Sequence, residues 1–508
     1  MRNTRTTPKL VPVASSLSST CSTVRPLRWV VASAALTLAS LTCMAQSVLP
    51  PQVSEALRKG GVPDTALSAL VIPVGGGVAR LAHFDSRPMS TASTMKLVTT
   101  LVALEELGPT YQWNTSLLTT AKQRGETLHG ALYLRGEGDP DLNWDAMRSM
   151  LRELRSQGVR HLRGSLFLDR SYFSPARTDI GAPNFDEYPR AYYNVIPDAL
   201  LVNENFIDFT LSATAHNVTV RTEPPLAKVT VKNQLKLIDL PCRDWDDDTL
   251  QANVLSRKSG RLQLTLAGDF PRNCRQVTSL NLLDRNLYIE RFLRATWSEL
   301  GGTWRGALHE GSTPAGARVL VSHKSPTMAK LAAMINKPSN NTMTRTVFLA
   351  LGELRYQGPP LETSQQKGDA VVRTWFARKD IDTQGMVLEN GSGLSRIERL
   401  TTRQLASLLE EGRKSNWYAE FAASMPIVGV DGTMRNRLKN TPVQGRARMK
   451  TGTLNNTSAV AGYLRDQYDK DWIVVAFINN EGASTHGPAV LNTLMQWAYD
   501  GQAPTLMP

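Results

Sequence analysis

A serine and a lysine stand three residues apart at the start of an apolar segment, STMKLVTTLVALEEL, residues 93–107. A serine hydroxyl is a weak nucleophile until a neighbouring base removes its proton. Residues i and i+3 share one face of a helix, so Lys96 can lie beside the hydroxyl of Ser93. A lysine acts as a base only when burial or a second cation lowers its pKa. The spacing therefore predicts a nucleophile and its base, provided that another cation lies nearby.

A second cation is present in RARMKTGTLNN, where Lys450 begins a Lys-Thr-Gly motif at the head of a predicted edge strand. Lys450 and Thr451 can hold a substrate carboxylate. Gly452 has no side chain, which lets a substrate backbone approach the strand closely. The backbone N–H of Thr453 can join that of Ser93 to form an oxyanion hole.

A third motif, Ser339-Asn340-Asn341, follows an apolar helical pattern in KPSNNTM. A loop at this place can carry a hydroxyl group and an amide into a cleft. Another Ser-x-Asn, Ser279–Asn281, is interpreted as the start of a helix.

The chain also contains a second Ser-x-x-Lys, Ser364–Lys367, in the polar stretch LETSQQKGDA. It comes after the Ser-x-Asn motif and is expected to begin no apolar helix, so Lys367 should stay protonated. The alternative interpretation of the first pair is that Ser93 merely starts a helix and Lys96 is solvated. The order Ser93, Ser339, Lys450, with each motif in a suitable context, favours the catalytic interpretation.

The N-terminus has the pattern of an export signal. Residues 1–28 carry five basic residues and no acidic one, and the apolar run WVVASAALTLASL follows. Small residues at Cys43 and Ala45 then predict cleavage between Ala45 and Gln46. The apolar run is short for a membrane span. We therefore expect residues 1–45 to be a signal peptide and the mature protein to be exported and soluble.

The charge of the expected mature protein is mildly positive. It keeps 53 of the 58 basic residues against 45 acidic residues, a net charge of +8. These charges are scattered and form no basic run, which excludes a nucleic-acid-binding protein. A cationic exported protein is attracted to anionic polymers, which favours peripheral association with the cell envelope.

Cys242 and Cys274 are the cysteines that remain after processing. Two cysteines in an oxidising compartment favour a disulfide, since a metal site would need more ligands nearby. This bridge would tie down a peripheral β region. Asp139 and Asp141 in GEGDPDLN resemble a metal pair but have no third ligand at suitable spacing, so we predict a turn there. No metal or other cofactor is predicted.

The periodicity of the chain predicts an α+β protein. Alternating segments on either side of Gly75–Gly77, and again near the C-terminus, indicate two hairpins that share one antiparallel sheet flanked by helices. Short alternating strands dominate from residue 115 to residue 279. We therefore predict a split catalytic domain, 46–114 with 280–508, and a β-rich insert, 115–279, that forms two subdomains.

The three motifs together are the set shared by penicillin-binding proteins and serine β-lactamases. Ser339 follows Ser93 by 246 residues, far more than in compact members of this superfamily. The long insert resembles that of the D-alanyl-D-alanine carboxypeptidase/endopeptidase family of the penicillin-binding protein 4 type, the low-molecular-mass class C. The similarity covers nearly all of the expected mature chain, and includes RGEGDPDL, LVNENF, NGSGLSR, GVDGTMRNR and KTGTLNN with AGYL.

The resemblance implies a transpeptidase-like domain in the periplasm. It would act on peptidoglycan peptides that end in D-Ala or are cross-linked through it, and β-lactams would inhibit it. By resemblance Ser93 is the acyl-enzyme nucleophile, Lys96 the proton acceptor and Ser339 a proton relay to the leaving group. Asn341 would orient the substrate amide, and Lys450 would bind the terminal carboxylate. The resemblance does not separate carboxypeptidase from endopeptidase action.

Two positions depart from the family pattern: Thr91 replaces a proline, and Asn390 replaces an aspartate before Gly-Ser-Gly. Thr91 can begin a helix instead, whereas Asn390 removes a charge near the cleft. In NFDEYPRAYY, Asp186 or Glu187 would meet the amino group of the peptide side chain, or else belong to a solvated loop.

Two alternative functions share the motifs. A serine β-lactamase needs a placed water for rapid deacylation, and the large insert and the GVDGT context argue against it. A non-catalytic wall-binding protein would keep only the fold, but all the catalytic residue types are intact. A metallohydrolase has no support, because the seven histidines form no His-Glu-x-x-His motif.

Overall fold

The computed structural model describes residues 48–257 and 260–501. The predicted signal peptide therefore lies outside the described residues. Ten α-helices occur in the described part of the chain: α1 Pro51–Lys59, α2 Lys96–Leu107, α3 Trp144–Ser156, α4 Arg285–Glu299, α5 Met328–Asn336, α6 Asn341–Arg355, α7 Ser364–Arg378, α8 Thr402–Lys414, α9 Tyr418–Ser424 and α10 Ala483–Asp500.

The same residues contain twenty strands. They are β1 Leu67–Pro73, β2 Leu81–His83, β3 Asn114–Thr119, β4 Lys122–Arg124, β5 Thr127–His129, β6 Leu132–Gly136, β7 His161–Arg163, β8 Leu166–Asp169, β9 Ile207–Ala213, β10 Val218–Glu223, β11 Val229–Ile238, β12 Gln251–Ser256, β13 Leu262–Pro271, β14 Arg275–Leu280, β15 Thr303–Arg305, β16 Leu308–Glu310, β17 Arg318–Lys324, β18 Ala447–Leu454, β19 Thr457–Arg465 and β20 Asp471–Asn479.

Strands from both ends of the described chain form one five-stranded antiparallel sheet in the order β18-β19-β20-β1-β2. The predicted hairpins are β1 with β2 and β19 with β20, and both are confirmed. β18 lies at the edge of the sheet, as the sequence predicted for the strand that carries Lys-Thr-Gly. Because β1 pairs with β20, segments from both ends of the described chain share this sheet.

The central sheet is buried on both faces. Successive side chains of a strand point to opposite faces, and in β20 Ile473 and Val475 belong to one core while Val474 belongs to another. Residues of α2 and of helices α5 to α9 fill the first core, and residues of α1 and α10 fill the second. The site described below lies on the side of α2.

The insert has a third core of its own, built from four sheets with α3 and α4. β3 pairs with β6 and, at its other edge, with β17. The strands of the insert thus remain hydrogen-bonded to one another as far as Lys324, the last residue of β17. The division into a split catalytic domain and an insert remains a prediction, and we propose that the catalytic domain resumes near residue 325 rather than at 280.

Two local expectations from sequence differ from the structure. Ser279 lies in β14 and starts no helix, since α4 begins only at Arg285. Thr91 occupies the N-cap position of the nucleophile helix, but its side chain makes no capping hydrogen bond, because Oγ1 donates to the carbonyl of Ala92 instead. Ser364 is buried and begins α7, whose first turn is polar, which agrees with the expectation that it begins no apolar helix.

The predicted disulfide between Cys242 and Cys274 is confirmed. Cys242 lies in a short 3₁₀ turn after β11, and Cys274 is buried directly before β14. The bridge therefore joins two sheets of the insert, since β11 and β14 belong to different sheets.

Candidate active site

Ser93 lies in a short 3₁₀ helix, Ala92–Met95, that leads directly into α2. In a 3₁₀ helix the side chains at i and i+3 eclipse one another, and the distance between Ser93 Oγ and Lys96 Nζ is 2.9 Å. Ser93 is the one residue from Thr91 to Leu104 that is not buried. Its hydroxyl is therefore accessible, whereas the amine behind it is not.

The amine of Lys96 is held by three oxygen atoms. Nζ lies 2.6 Å from Asn341 Oδ1, 2.6 Å from the carbonyl oxygen of Ser392 and 2.9 Å from Ser93 Oγ. The first two atoms can only accept hydrogen bonds, whereas a hydroxyl can also donate. A neutral amine satisfies this set, since its two N–H groups donate to the carbonyl oxygens and its lone pair accepts from Ser93.

The electrostatic environment also favours the neutral amine. Lys96 is fully buried, and this burial lowers its pKa well below the usual 10.5. The positive charges of Lys450 and Arg345 lower the pKa further, while the carboxylate of Glu398 opposes them. This is the environment that a lysine needs to act as a general base near neutral pH.

The Ser-x-Asn motif lies in the loop between α5 and α6. Ser339 adopts a left-handed conformation with φ of 67°, which is uncommon for a residue other than glycine. Asn341 begins α6, and its amide spans two partners: Oδ1 accepts from Lys96, and Nδ2 donates to the carbonyl of Tyr193 at 3.1 Å.

Lys450 connects the second motif to the third. Its Nζ donates to Ser339 Oγ and to the carbonyl oxygen of Thr451, both at 2.8 Å. Lys450 is fully buried, and burial lowers its pKa to about 7. Thr451 Oγ1 lies 2.7 Å from Thr433 Oγ1 in the GVDGT segment. Ser339 and Lys450 thus form one pair, which is coupled by charge to Lys96.

The edge strand β18 directs alternate N–H groups away from the sheet. Met449 N donates to the carbonyl of Pro426 rather than to β19. Because successive residues of a strand alternate in hydrogen-bonding direction, the N–H groups of Thr451 and Thr453 also face the free edge. A side chain on Gly452 would overlap the backbone around Ser93. The glycine therefore allows β18 to lie against the nucleophile.

A glycine-rich loop, 390–393, lies behind the nucleophile and is held by Glu398, a residue that the sequence motifs did not reveal. The buried carboxylate of Glu398 accepts hydrogen bonds from four backbone N–H groups, those of Glu389, Asn390, Gly391 and Gly393. The loop in turn supplies the Ser392 carbonyl to Lys96. The sequence signal for Glu398 was an acidic residue shortly after the run Asn-Gly-Ser-Gly, because the backbone N–H groups of that run need an acceptor.

Asn390, where the family pattern has an aspartate, forms hydrogen bonds through both ends of its side-chain amide. Oδ1 accepts from the backbone N and the hydroxyl of Ser392, while Nδ2 donates to the carbonyl of Leu394 at 2.9 Å. An aspartate has no such donor. Arg345, also missed in the sequence, donates to the same Leu394 carbonyl. Its signal was a single cation four residues after Asn341, in the stretch 341–352 of α6 that is otherwise uncharged.

The second Ser-x-x-Lys is occupied by other partners. Ser364 Oγ donates to Glu353 and accepts from the backbone N of Ser174. Lys367 forms an ion pair with the same carboxylate, with an Nζ–Oε2 distance of 2.9 Å. This lysine stabilises a neighbouring charge and is not arranged as a base.

Asp186 stabilises its own loop, because it accepts from Tyr193 OH, Asn194 Nδ2 and the backbone N of Tyr188. Glu187 is exposed. The same loop lines a cavity of about 630 Å³ that reaches Asn390 of the glycine-rich loop. Its walls in this loop are residues 182–185 and Pro189, and neither acid is among them.

The predicted turn at Asp139 is present, since its Oδ1 accepts from the backbone N of Asp141. In the described part of the chain, no group of three or more histidine, cysteine, aspartate or glutamate residues is arranged to hold a metal ion.

Comparison with known proteins gives a consistent result. The model of the D-Ala-D-Ala carboxypeptidase 3 (S13) family matches residues 49–500. The D-alanyl-D-alanine carboxypeptidase of Actinomadura sp. (strain R39) is 28% identical over 430 residues, covering 82% of this chain and 78% of that protein. The D-alanyl-D-alanine carboxypeptidase DacB of Haemophilus influenzae is 27% identical over 396 residues, covering 77% of this chain and 80% of the relative.

Solved structures share the fold. Penicillin-binding protein 4 from Haemophilus influenzae matches with a TM-score of 0.72 and 24% identity, covering 88% of this chain and 99% of that one. The Bd0816 predatory endopeptidase from Bdellovibrio bacteriovorus, solved with an immunity protein, matches with a TM-score of 0.50 and 14% identity. The match covers 85% of this chain and 92% of that one. The predicted α+β penicillin-binding-protein fold is confirmed.

Proposed function

Because the chain belongs to the D-Ala-D-Ala carboxypeptidase 3 (S13) family and is a serine-type DD-peptidase of the penicillin-binding protein 4 type, we propose that Ser93 is its nucleophile and Lys96 its base. The observation that carries this assignment is the set of three oxygen atoms around the buried amine of Lys96, which suits a neutral amine next to an accessible hydroxyl.

In the acylation step Ser93 Oγ attacks the carbonyl carbon of the D-Ala residue that precedes the scissile bond, and Lys96 accepts the hydroxyl proton. The C–N bond of the tetrahedral intermediate then breaks, and the leaving amine takes up a proton. Ser339, which is hydrogen-bonded to Lys450, relays that proton. Water later attacks the resulting ester, which releases the shortened peptide and restores Ser93.

The negative charge of the tetrahedral intermediate needs preorganised donors. We assign these to the backbone N–H groups of Ser93 and Thr453. The N–H of Thr453 faces the free edge of β18, and Gly452 lets this edge lie close to the nucleophile. Removal of one such donor lowers the acylation rate of comparable enzymes by about 100- to 1,000-fold.

Lys450 and Thr451 bind the terminal carboxylate of the peptide. A carboxylate that approaches the buried Lys450 favours its charged form, although its pKa is about 7 before substrate binds. Penicillins carry a carboxylate near a strained amide, so the same residues would receive a β-lactam. Penicillin-binding protein 4 of Haemophilus influenzae has been solved with a β-lactam, which supports β-lactam binding by this chain.

The substrate is peptidoglycan peptide, encountered in the periplasm after removal of residues 1–45. The loop that contains Asp186 and Glu187 lines the cavity beside the active site and would meet the amino group of the peptide side chain. No helix in the described part of the chain is long and apolar enough to cross a membrane.

The experiment is digestion of purified muropeptides by the mature protein, with mass analysis of the products. Loss of one D-Ala from monomers reports carboxypeptidase action, and conversion of cross-linked dimers to monomers reports endopeptidase action. Ser93→Ala should abolish both, and Ser364→Ala should preserve them. If Ser93→Ala still releases product, the assignment of the nucleophile is wrong. Unchanged muropeptides, with penicillin hydrolysed rapidly, would indicate a β-lactamase instead.

A further inference from the structure

The insert contains a strained turn that points toward the active site. Asn203, Glu204 and Asn205 all adopt the left-handed conformation, with φ of 46°, 48° and 62°. A residue other than glycine is strained in such a conformation and keeps it only when its surroundings enforce it. The turn is held on both sides, because the N of Asn203 donates to Leu142 and Asn205 Nδ2 donates to Leu283, both at 2.7 Å.

The strained turn brings Glu204 to the Ser-x-Asn motif. Its carboxylate accepts from Asn340 Nδ2 at 2.7 Å. The other end of the same amide, Asn340 Oδ1, accepts from the backbone N of Met343 and caps α6. Asn340 therefore cannot rotate without losing one of two hydrogen bonds, and it stands between Ser339 and Asn341.

Two further contacts fasten the same stretch of chain. Asn341 Nδ2 donates to the carbonyl of Tyr193, and Thr342 Oγ1 donates to the carbonyl of Val195. Three consecutive residues, 340–342, are thus bonded to the segment 193–204. In this segment Glu204 contributes a side-chain acceptor, whereas Tyr193 and Val195 contribute backbone carbonyls, so a substitution within the segment can remove the contact made by Glu204.

We propose that Glu204 is a positioning residue for the DD-peptidase reaction. By fixing the amide of Asn340, it keeps Ser339 at Lys450 and Asn341 at Lys96. Burial and the charge of Asp141 raise the pKa of Glu204, and hydrogen bonds from Asn340 and Thr342 oppose this shift. The inference rests on the proposed function, because it assumes that Ser339 and Asn341 take part in acylation.

The test measures acylation of the mature protein by a chromogenic penicillin in a stopped-flow instrument, which separates initial binding from the acylation rate constant. Glu204→Ala should lower the rate constant by about 10- to 100-fold, the size expected when reacting groups are displaced by a fraction of an ångström to one ångström. Initial binding should change little. Glu204→Gln keeps an oxygen acceptor for Asn340 and should acylate near the wild-type rate.

A donor–acceptor exchange gives a second, independent test. Asn340→Asp preserves the acceptor that caps α6 but places two acceptors opposite each other, so acylation should slow. Adding Glu204→Gln to that variant restores one donor and one acceptor and should recover most of the rate. The exchange also serves if Glu204→Ala does not fold. The matched control is Glu153→Ala, which removes an exposed acid from α3 of the same insert and should leave the rate unchanged.

The outcomes separate this inference from the proposed function. If the wild-type protein forms no penicillin adduct on Ser93, the proposed function is wrong. If the adduct forms and Glu204→Ala acylates at the wild-type rate, even with a lower melting temperature, then Glu204 only stabilises the fold and the inference is overturned. Failure of the exchange variant to recover any rate would overturn it as well.

Discussion

Lys96 and Lys367 each stand three residues after a serine, and their surroundings give them opposite properties. Lys96 is buried among neutral oxygen atoms and near other cations, which lowers its pKa. Lys367 is paired with the carboxylate of Glu353, so its amine is held by an acid and is not directed at Ser364 as a base. The two motifs have identical spacing. The partners of each lysine therefore decide which serine is activated.

We expect penicillin to acylate Ser93 and to leave Ser364 unmodified. A neutral base and a preorganised oxyanion hole each change the rate by about two to three orders of magnitude, and Ser364 has neither. Peptide mapping by mass spectrometry after brief exposure to a penicillin should place the adduct on the Ser93 peptide alone. Ser364→Ala should retain the adduct, and any adduct on the Ser364 peptide would contradict the prediction.

Lys450→Met should change the pH dependence of acylation at both limbs. Above about pH 7 the wild-type Lys450 loses its proton and with it the charge that attracts the substrate carboxylate. The fall in the acylation rate at high pH should therefore be absent from the variant. The charge of Lys450 also lowers the pKa of Lys96, so its removal should move the low-pH limb to higher pH. The measurement is the second-order acylation rate constant of a penicillin as a function of pH. An unchanged profile would remove Lys450 from the site.

Glu398→Gln should shift the low-pH limb in the opposite direction. The negative charge of Glu398 raises the pKa of Lys96, so its loss should let the base stay neutral at lower pH. The side-chain amide of the variant also replaces one acceptor oxygen with an N–H donor that faces backbone N–H groups. This should lower the free energy of unfolding by about 1–3 kcal/mol. Denaturant unfolding and the same pH series measure both effects. Glu153→Gln, at an exposed position on α3, should show neither.

At the scale of secondary structure, local patterns predicted most of what positions the site. Alternation of apolar residues predicted the hairpins β1–β2 and β19–β20, and the edge strand β18 followed from its place before the second hairpin. An apolar helix followed by Ser339 predicted the loop between α5 and α6. In each case the signal lies within one segment of the sequence.

What sequence reasoning missed depends on contacts between distant segments or on backbone detail. The role of the Glu398 carboxylate as a hydrogen-bond acceptor becomes apparent only once the glycine-rich loop folds around it. The pairing of β3 with β17 joins segments about two hundred residues apart, so the predicted boundary at 280 could not take it into account. The 3₁₀ geometry at Ser93, with Ala92 at φ of 42°, is imposed by packing and not by local preference.

Gly393→Ala should disable the site by displacing the nucleophile. Gly393 has φ of 82°, and a methyl group there would overlap the carbonyl oxygen of Ala92 and approach the backbone N of Ser93. Gly445→Ala is a matched control, because Gly445 has φ of 76° but open space around it. Both variants should lose about 1–2 kcal/mol from the left-handed backbone. Only Gly393→Ala should lose acylation as well, and equal acylation by the two variants would contradict this.

At the scale of the whole molecule, the buried apolar residues of the described chain divide into three cores. Two lie on the faces of the central sheet and one lies in the insert. The residues predicted to perform catalysis all lie outside the predicted insert, yet the segment 193–204 within it is hydrogen-bonded to the Ser-x-Asn motif. The insert is therefore expected to influence the reaction only while its own structure is intact near this segment.

Removal of the disulfide should test this relation. The bridge closes a loop of 32 residues, for which chain entropy gives a stabilisation of about 3–4 kcal/mol, and both cysteines belong to or pack against the core of the insert. In the double variant Cys242→Ala/Cys274→Ala, acylation by penicillin should be normal at room temperature. On heating, it should fall together with the amide-exchange protection of the insert, while the central sheet is still protected. Loss of acylation with the insert still protected would contradict the relation, and two alkylatable thiols in the native wild-type protein would contradict the bridge itself.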